Sequence, residues 1–122
     1  MGEIKKIVID DKEFMFYCSS RSTRHGFAHD VEFFIEGASR VKNTCHYLNR
    51  TWECWQYQTA ICGAVRQYMD RYAGYMLDDF KFDNKIKRLT AQKKADFEAL
   101  RDADEFYKTL AKLYEHIKNG RI

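Results

Sequence analysis

Phe27-Ala28-His29-Asp30-Val31-Glu32-Phe33-Phe34-Ile35-Glu36, broken by Gly37 and resumed from Arg40 to Leu48, decides how this chain folds. Phe27, His29, Val31, Phe33 and Ile35 occupy alternate positions, and Asp30, Glu32 and Glu36 fall between them. Side chains of an extended chain point alternately to opposite faces, so the spacing predicts a strand with one buried and one wet face. Arg40 to Leu48 reads as the next strand, with Val41, Cys45 and Tyr47 on one side. A three-residue loop, Gly37-Ala38-Ser39, sets Ile35 opposite Val41, Val31 opposite Cys45 and Glu36 against Arg40. A two-residue loop at Gly37-Ala38 would put Phe33 opposite Lys42, and a one-residue slip inverts every side chain, so the longer loop is expected. That register also pairs His46 with Asp30 across the sheet.

Upstream, Glu3 to Ile9 and Lys12 to Cys18 are β-branched or aromatic runs around Asp10-Asp11, which reads as a hairpin. Ser19 to Gly26 is polar and reads as a loop. Downstream the period becomes helical, with Asn49 or Thr51 able to cap the start. Cys54, Tyr57, Ile61, Val65, Tyr68, Met69, Tyr72 and Met76 form an apolar stripe from Trp52 to about Asp79. Trp52, Trp55, Tyr75 and Leu77 lie off that stripe, so the helix is expected to pack on more than one side. Asp78 to Asn84 reads as a loop, and about Arg88 to Asn119 as a second helix with a kink or restart at Arg101 to Asp104. The expected architecture is α+β in the order ββββαα: one domain, with an antiparallel sheet over residues 1–48 and a helical hairpin over 52–119.

The chain has 122 residues, 45% hydrophobic and 16% aromatic, enough to fill one core. No run approaches the roughly 20 apolar residues of a membrane span, and the N-terminus lacks the apolar centre of a signal peptide, so a cytoplasmic protein is expected. A net charge of +3 is too slight for wrapping a long nucleic acid. The charge is unevenly placed. No acid occurs from Gly37 to Trp52, and from Asn84 to Lys94 the charges are Lys85, Lys87, Arg88, Lys93 and Lys94. Two local basic patches suit a small anion, although a solvated helix start and a polar strand face would look the same.

Cys18, Cys45, Cys54 and Cys62 form no C-x-x-C pair or compact zinc spacing and read as buried thiols. The sequence carries no Gly-rich phosphate loop, H-E-x-x-H or G-x-S-x-G motif, and its four histidines are dispersed. Asp78, Asp79 and Asp83 lack the spacing of a calcium loop. Binding rather than catalysis is expected, with neither cofactor nor metal.

Two segments carry a resemblance. Arg24-His25-Gly26-Phe27-Ala28-His29 is similar to the R-x-G-F-x-H approach to a strand in small phage and prophage proteins. Tyr47-Leu48-Asn49-Arg50-Thr51-Trp52-Glu53, with Tyr57-Gln58 following, resembles their Y-L-N-R-T-W-E…Y-Q signature, so the likeness covers roughly residues 12–70. On these motifs the chain resembles the Thoeris anti-defence family, first type, phage sponges that sequester cyclic ADP-ribose signals made by bacterial TIR enzymes. The resemblance implies a homo-oligomer (dimer or higher) in the infected or lysogenic bacterial cell. It also implies binding of a cyclic ADP-ribose isomer without hydrolysis, in recesses near subunit junctions.

Such a ligand offers an adenine to stack and a diphosphate to neutralise. Tyr75, Phe80 and Phe82 are the aromatic candidates near the interhelical loop, Arg88 and Arg101 the cationic ones, and Asn84 the reader of a base or ribose edge. Arg24, Arg40 and Arg50 form a possible second basic site. The plain alternative is that Phe80 and Phe82 plug the end of the helical hairpin and Arg50 ties the sheet to the helix. Two other functions are an inhibitor of a host nuclease by protein contact, of the anti-CRISPR or anti-restriction kind, and a small nucleic-acid-binding accessory protein using Arg40, Lys42 and Arg50.

Overall fold

The computed structural model describes residues 2–48 and 57–120. Strands β1 (Gly2–Ile9), β2 (Lys12–Thr23), β3 (Gly26–Ile35) and β4 (Ala38–Tyr47) form an antiparallel sheet in the order β1-β2-β3-β4. Three helices follow among the described residues: α1 (Gln58–Asp83), α2 (Ala91–Ala103) and α3 (Glu105–Lys118). The class is α+β as expected, with three helices in place of two.

The hairpins owe their tightness to residues that tolerate positive φ. Asp10 and Asp11 sit at φ 51° and 64°, as a two-residue turn matched to strand twist requires. The Asp10 carboxylate is then anchored from above: Thr109 Oγ1 donates to it at 2.9 Å and Lys112 Nζ at 3.0 Å. The expected loop over Ser19 to Gly26 shrinks to a turn at Arg24-His25, because β2 runs on to Thr23. Those serines are polar, but β3 supplies their backbone partners as far as Thr23 opposite Gly26. A side chain at Gly26 would collide with the Tyr47 carbonyl oxygen, so that strand start requires glycine.

The β3–β4 register differs from expectation. The turn is Glu36-Gly37, with φ 50° and 84°, and Ile35 lies opposite Ala38. Pairing slips between Phe33 and Phe34, where Arg40 is the extra residue, and resumes with Phe33 opposite Val41. Phe33 meets Val41, but Val31 lies opposite Asn43 instead of Cys45, and Glu36 sits in the turn instead of against Arg40: a tight turn plus a bulge replaces the longer loop. His29 therefore faces Cys45, and Asp30 faces Thr44 rather than His46. Asp30 accepts from Thr44 Oγ1 at 2.6 Å and from Arg21 Nε at 2.8 Å, which together hold its carboxyl below the usual range despite some burial.

The core lies between the sheet and α1 with α3. Phe14, Phe16 and Phe33 are wholly buried, and Phe16 stacks on Phe33 at 4.8 Å. Ile61 and Val65 of α1 meet them, with Leu110, Leu113 and Ile117 of α3. Small residues set the approach of α1: Ala60 and Ala64 are buried, and a Cβ on Gly63 would lie 2.5 Å from Asn43 Nδ2. Asn43 fastens helix to sheet, donating to the Ala60 carbonyl at 2.9 Å and accepting from Gln67 Nε2 at 2.6 Å.

Of the cysteines, Cys18 is buried and Cys45 and Cys62 are half-buried, all with free thiols; Cys54 lies outside the described residues, as do the expected helix start from Trp52 and the caps Asn49 and Thr51.

Candidate functional site

The expected loop from Asp78 to Asn84 is helix as far as Asp83. Phe80 and Phe82 therefore belong to the last turn of α1, roughly 200° apart around its axis. Phe80 turns inward and meets Phe97 of α2 at 5.6 Å, so it does plug the hairpin. Phe82 turns out and is 84% exposed. Tyr75, seven residues earlier and so on the same helical face, is 62% exposed. Asp78 and Asp79 share that face and are exposed between the two rings.

Asn84 ends the helix. Its backbone N–H donates to the Phe80 carbonyl at 3.0 Å and its side-chain Nδ2 to the same oxygen at 2.9 Å. Its Oδ1 accepts from Lys93 Nζ at 3.3 Å. Lys85 follows in the left-handed region, φ 54°; its N–H donates to the Phe82 carbonyl at 3.2 Å, and that of Ile86 to the Lys81 carbonyl at 3.0 Å. This pair of bonds is the Schellman closure, with lysine in the place usually taken by glycine. The amide expected to read a base is thus engaged in stopping the helix.

Arg88 is exposed in the connection to α2. Thr90 caps α2, accepting from the Lys93 N–H at 3.2 Å, and the first turn carries Lys93 and Lys94 with no acid. Backbone amides and lysines there favour the same charge, an anion. Phe82, Asn84, Arg88 and this helix start share one tip of the molecule.

The other expected site residues do not join them. Arg101 lies at the far end of α2, roughly 20 Å along the chain axis from Arg88. Its Nε donates to Asp102 Oδ1 at 3.0 Å, and its guanidinium lies 5.4 Å from the Tyr107 ring centre. Arg24 and Arg40 stand at opposite ends of the ten-residue β3, roughly 30 Å apart. Arg50 lies outside the described residues.

A second cluster escaped the sequence reading. His29 is 3% exposed on the inner face of β3, with Phe27, Tyr47 and Tyr57 at ring-centre distances of 5.3, 5.2 and 4.5 Å. Its Nδ1 is buried and finds no hydrogen-bond partner among the described residues. Burial lowers the imidazole pKa below its ordinary value, against a smaller opposing pull from the Asp30 charge, so the ring is held neutral. Tyr57 closes the cluster from the start of α1 and shares a hydrogen bond with Ser20 Oγ at 3.0 Å. Alternation placed His29 inward, but Tyr57 reaches it only through tertiary packing.

Two of the described thiols are held back from reaction by burial. Burial raises the Cys18 pKa to about 11 and raises that of Cys62 as well, so neither is an activated thiolate at neutral pH. Among the described residues no helix is long and apolar enough to cross a membrane, and no three acidic, His or Cys side chains are grouped to hold a metal. The chain matches no protein-family model, no curated protein and no solved structure.

Proposed function

We propose that this chain is a phage anti-defence protein that captures a small anionic nucleotide of the cyclic ADP-ribose type without cleaving it. It works as a cytoplasmic homo-oligomer in the infected or lysogenic bacterial cell and so blocks TIR-dependent immunity. The observation that carries the binding reading is the tip of α1: an aromatic ring 84% exposed at Phe82, beside an acid-free basic connection and a helix start with no acid in its first turn. An exposed ring offers a stacking surface, and the basic tip offers a place for phosphate.

Asp78 and Asp79 give that site a direction. A diphosphate laid between Tyr75 and Phe82 would face two carboxylates, so the base stacks on Phe82 with its phosphates toward Arg88, Lys93 and Lys94. Tyr75 is left for a subunit contact, which exposed aromatics on a projecting helix suit.

Titration calorimetry with cyclic ADP-ribose isomers is the test. Phe82→Ala should weaken binding by about one to two powers of ten, as loss of a base stack does. Arg88→Ala should weaken it separately, and ligand released by heating should return chemically intact. No heat with any isomer overturns the reading. The acid pair between two exposed rings would then favour the second reading, an inhibitor that acts on a host nuclease by protein contact.

A further inference from the structure

The two edges of the sheet are finished differently. On β4 the Arg40 bulge interrupts pairing, and Arg71 NH1 donates to the Arg40 carbonyl at 2.8 Å. Bulges and covered carbonyls are ways of blunting an edge. On β1 the pairing with β2 is unbroken from Gly2 opposite Ser19 to Ile9 opposite Lys12. Ile9 and Lys12 flank a two-residue turn, so they form a hydrogen-bonded pair, and the odd residues of β1 bond inward to β2. The backbone N–H and C=O groups of Gly2, Ile4, Lys6 and Val8 therefore point away from the sheet. Ile4 and Val8 are 57% and 63% exposed on the helix-free face.

Lys5 and Lys6 are the usual deterrent on such an edge. They deter only some registers. A second β1 laid antiparallel about Lys5 or Lys6 sets that lysine directly against the partner's copy of itself, which is destabilising. About Ile4 the charges agree: Glu3 faces the partner's Lys5, and Lys5 faces the partner's Glu3. Both are close, non-hydrogen-bonded positions where opposite charges interact best. Within one chain Lys5 Nζ already lies 3.3 Å from Glu3, so pairing closes two charges into a square of four with opposite signs at neighbouring corners. Ile4 meets the partner's Ile4 in a hydrogen-bonded position. Because Ile4 stands opposite Tyr17, the helix-free face then carries one unbroken apolar row across the junction.

We propose that β1 is a self-pairing edge, at which a second copy of this chain adds its own β1 antiparallel about Ile4 and merges two sheets into one. This contact goes beyond the nucleotide reading, uses none of its residues, and lies on a different element from the helical contact ascribed to Tyr75.

Crosslinking tests it in the full chain. Cα atoms of a hydrogen-bonded antiparallel pair lie about 5.5 Å apart, within disulfide reach. Ile4→Cys under mild oxidant should give a covalent dimer on a non-reducing gel, above the wild-type chain treated alike. Val8→Cys, on the same face and edge, should not. Lys5→Glu should weaken association at least tenfold by sedimentation, and Glu3→Lys with Lys5→Glu should restore it. A far-UV circular dichroism spectrum of the Lys5→Glu chain that matches the wild type shows that the single variant folds. An Ile4→Cys chain that stays monomeric, equal crosslinking by Val8→Cys, or a Lys5→Glu chain that associates like the wild type overturns the proposal. Phe82→Ala should leave the Ile4→Cys crosslink intact, which separates this contact from the ligand site.

Discussion

The two halves of α1 lie in different surroundings. Its first half buries Ala60, Ile61, Ala64, Val65 and Met69 against the sheet, and α3 beside it buries Thr109, Leu110, Leu113 and Ile117. Its second half meets α2, where Phe97 is the buried residue and Phe80, Ile86 and Leu89 are only half covered. Tyr75, Phe82 and Leu100 are exposed there. Stability thus resides over the sheet, while the projecting arm keeps large apolar side chains in water, where a ligand or another subunit can use them. Tyr72 marks the border. Its hydroxyl donates to Asp104 at 2.8 Å, and burial first, then this bond, pushes its pKa to about 12. Asp104 also caps α3, accepting from the Tyr107 N–H at 2.9 Å, so one carboxylate ends the arm and begins the buried helix.

The largest expected effect breaks the comparison most directly. Leu113→Ala removes a wholly buried side chain and should destabilise the fold by about 2–5 kcal/mol in chemical denaturation. Leu100→Ala, the same chemistry on the arm, should stay within about 0.5 kcal/mol. Equal losses from the two would mean that the arm is as integral as the layer over the sheet.

The sheet side was also the more legible in sequence. Strong alternation in β1, β2 and β3 and the Asp10-Asp11 turn located the strands, since period and turn chemistry are local. What was missed depended on partners. Ser19 to Thr23 is polar enough for a loop but is held as strand by β3. The Arg40 bulge follows from Glu36 accepting positive φ, which its residue type does not advertise. On the arm, Asp78 to Asp83 looked like a helix breaker, yet acids are tolerated in an exposed last turn. The candidate aromatics are visible by type, but which one faces water depends on Phe97, and a C-cap role for Asn84 leaves no spacing signal that separates it from a ligand contact. The interruption before α3 is visible as the Asp-rich stretch Arg101 to Asp104; whether it kinks one helix or separates two is decided by Asp104, which caps α3.

A middle-sized effect should sharpen the comparison through pH. His29 is neutral in its aromatic pocket, with its pKa lowered by burial from an ordinary value of 6.5. The unfolded chain therefore binds a proton more readily than the folded one. The stability this gives is present above 6.5 and is lost as pH falls through that value toward the folded pKa. Denaturation midpoints should fall on acidification in this window, and His29→Phe should flatten the dependence. Asp10 and Asp30, both lowered below 3.8, act in a more acidic range and leave the window clear. Because His29 sits beneath the start of α1, amide exchange should quicken first in β3 and early α1 rather than on the arm. A dependence that survives His29→Phe would assign the titration elsewhere.

The smallest expected effect lies at the arm's tip, where sign matters more than size. Lys85 holds φ 54° at the C′ position of the Schellman closure. A side chain in the left-handed region costs about 1–2 kcal/mol that glycine does not incur, while glycine loses more freedom on folding. The net gain from Lys85→Gly is therefore about 0.5–1 kcal/mol, and it should appear locally. Exchange of the Asn84, Lys85 and Ile86 amides should slow severalfold, with little change in the global midpoint, because the arm contributes little to the cooperative core. The same substitution removes a cation from the basic tip, so nucleotide affinity should fall as local order rises. If both order and affinity rise, flexibility of the helix end, not charge, limits binding, and the phosphate contact assigned to this tip is wrong. If order falls, the left-handed lysine is held by contacts that glycine lacks, and the arm is better packed than its exposed rings suggest.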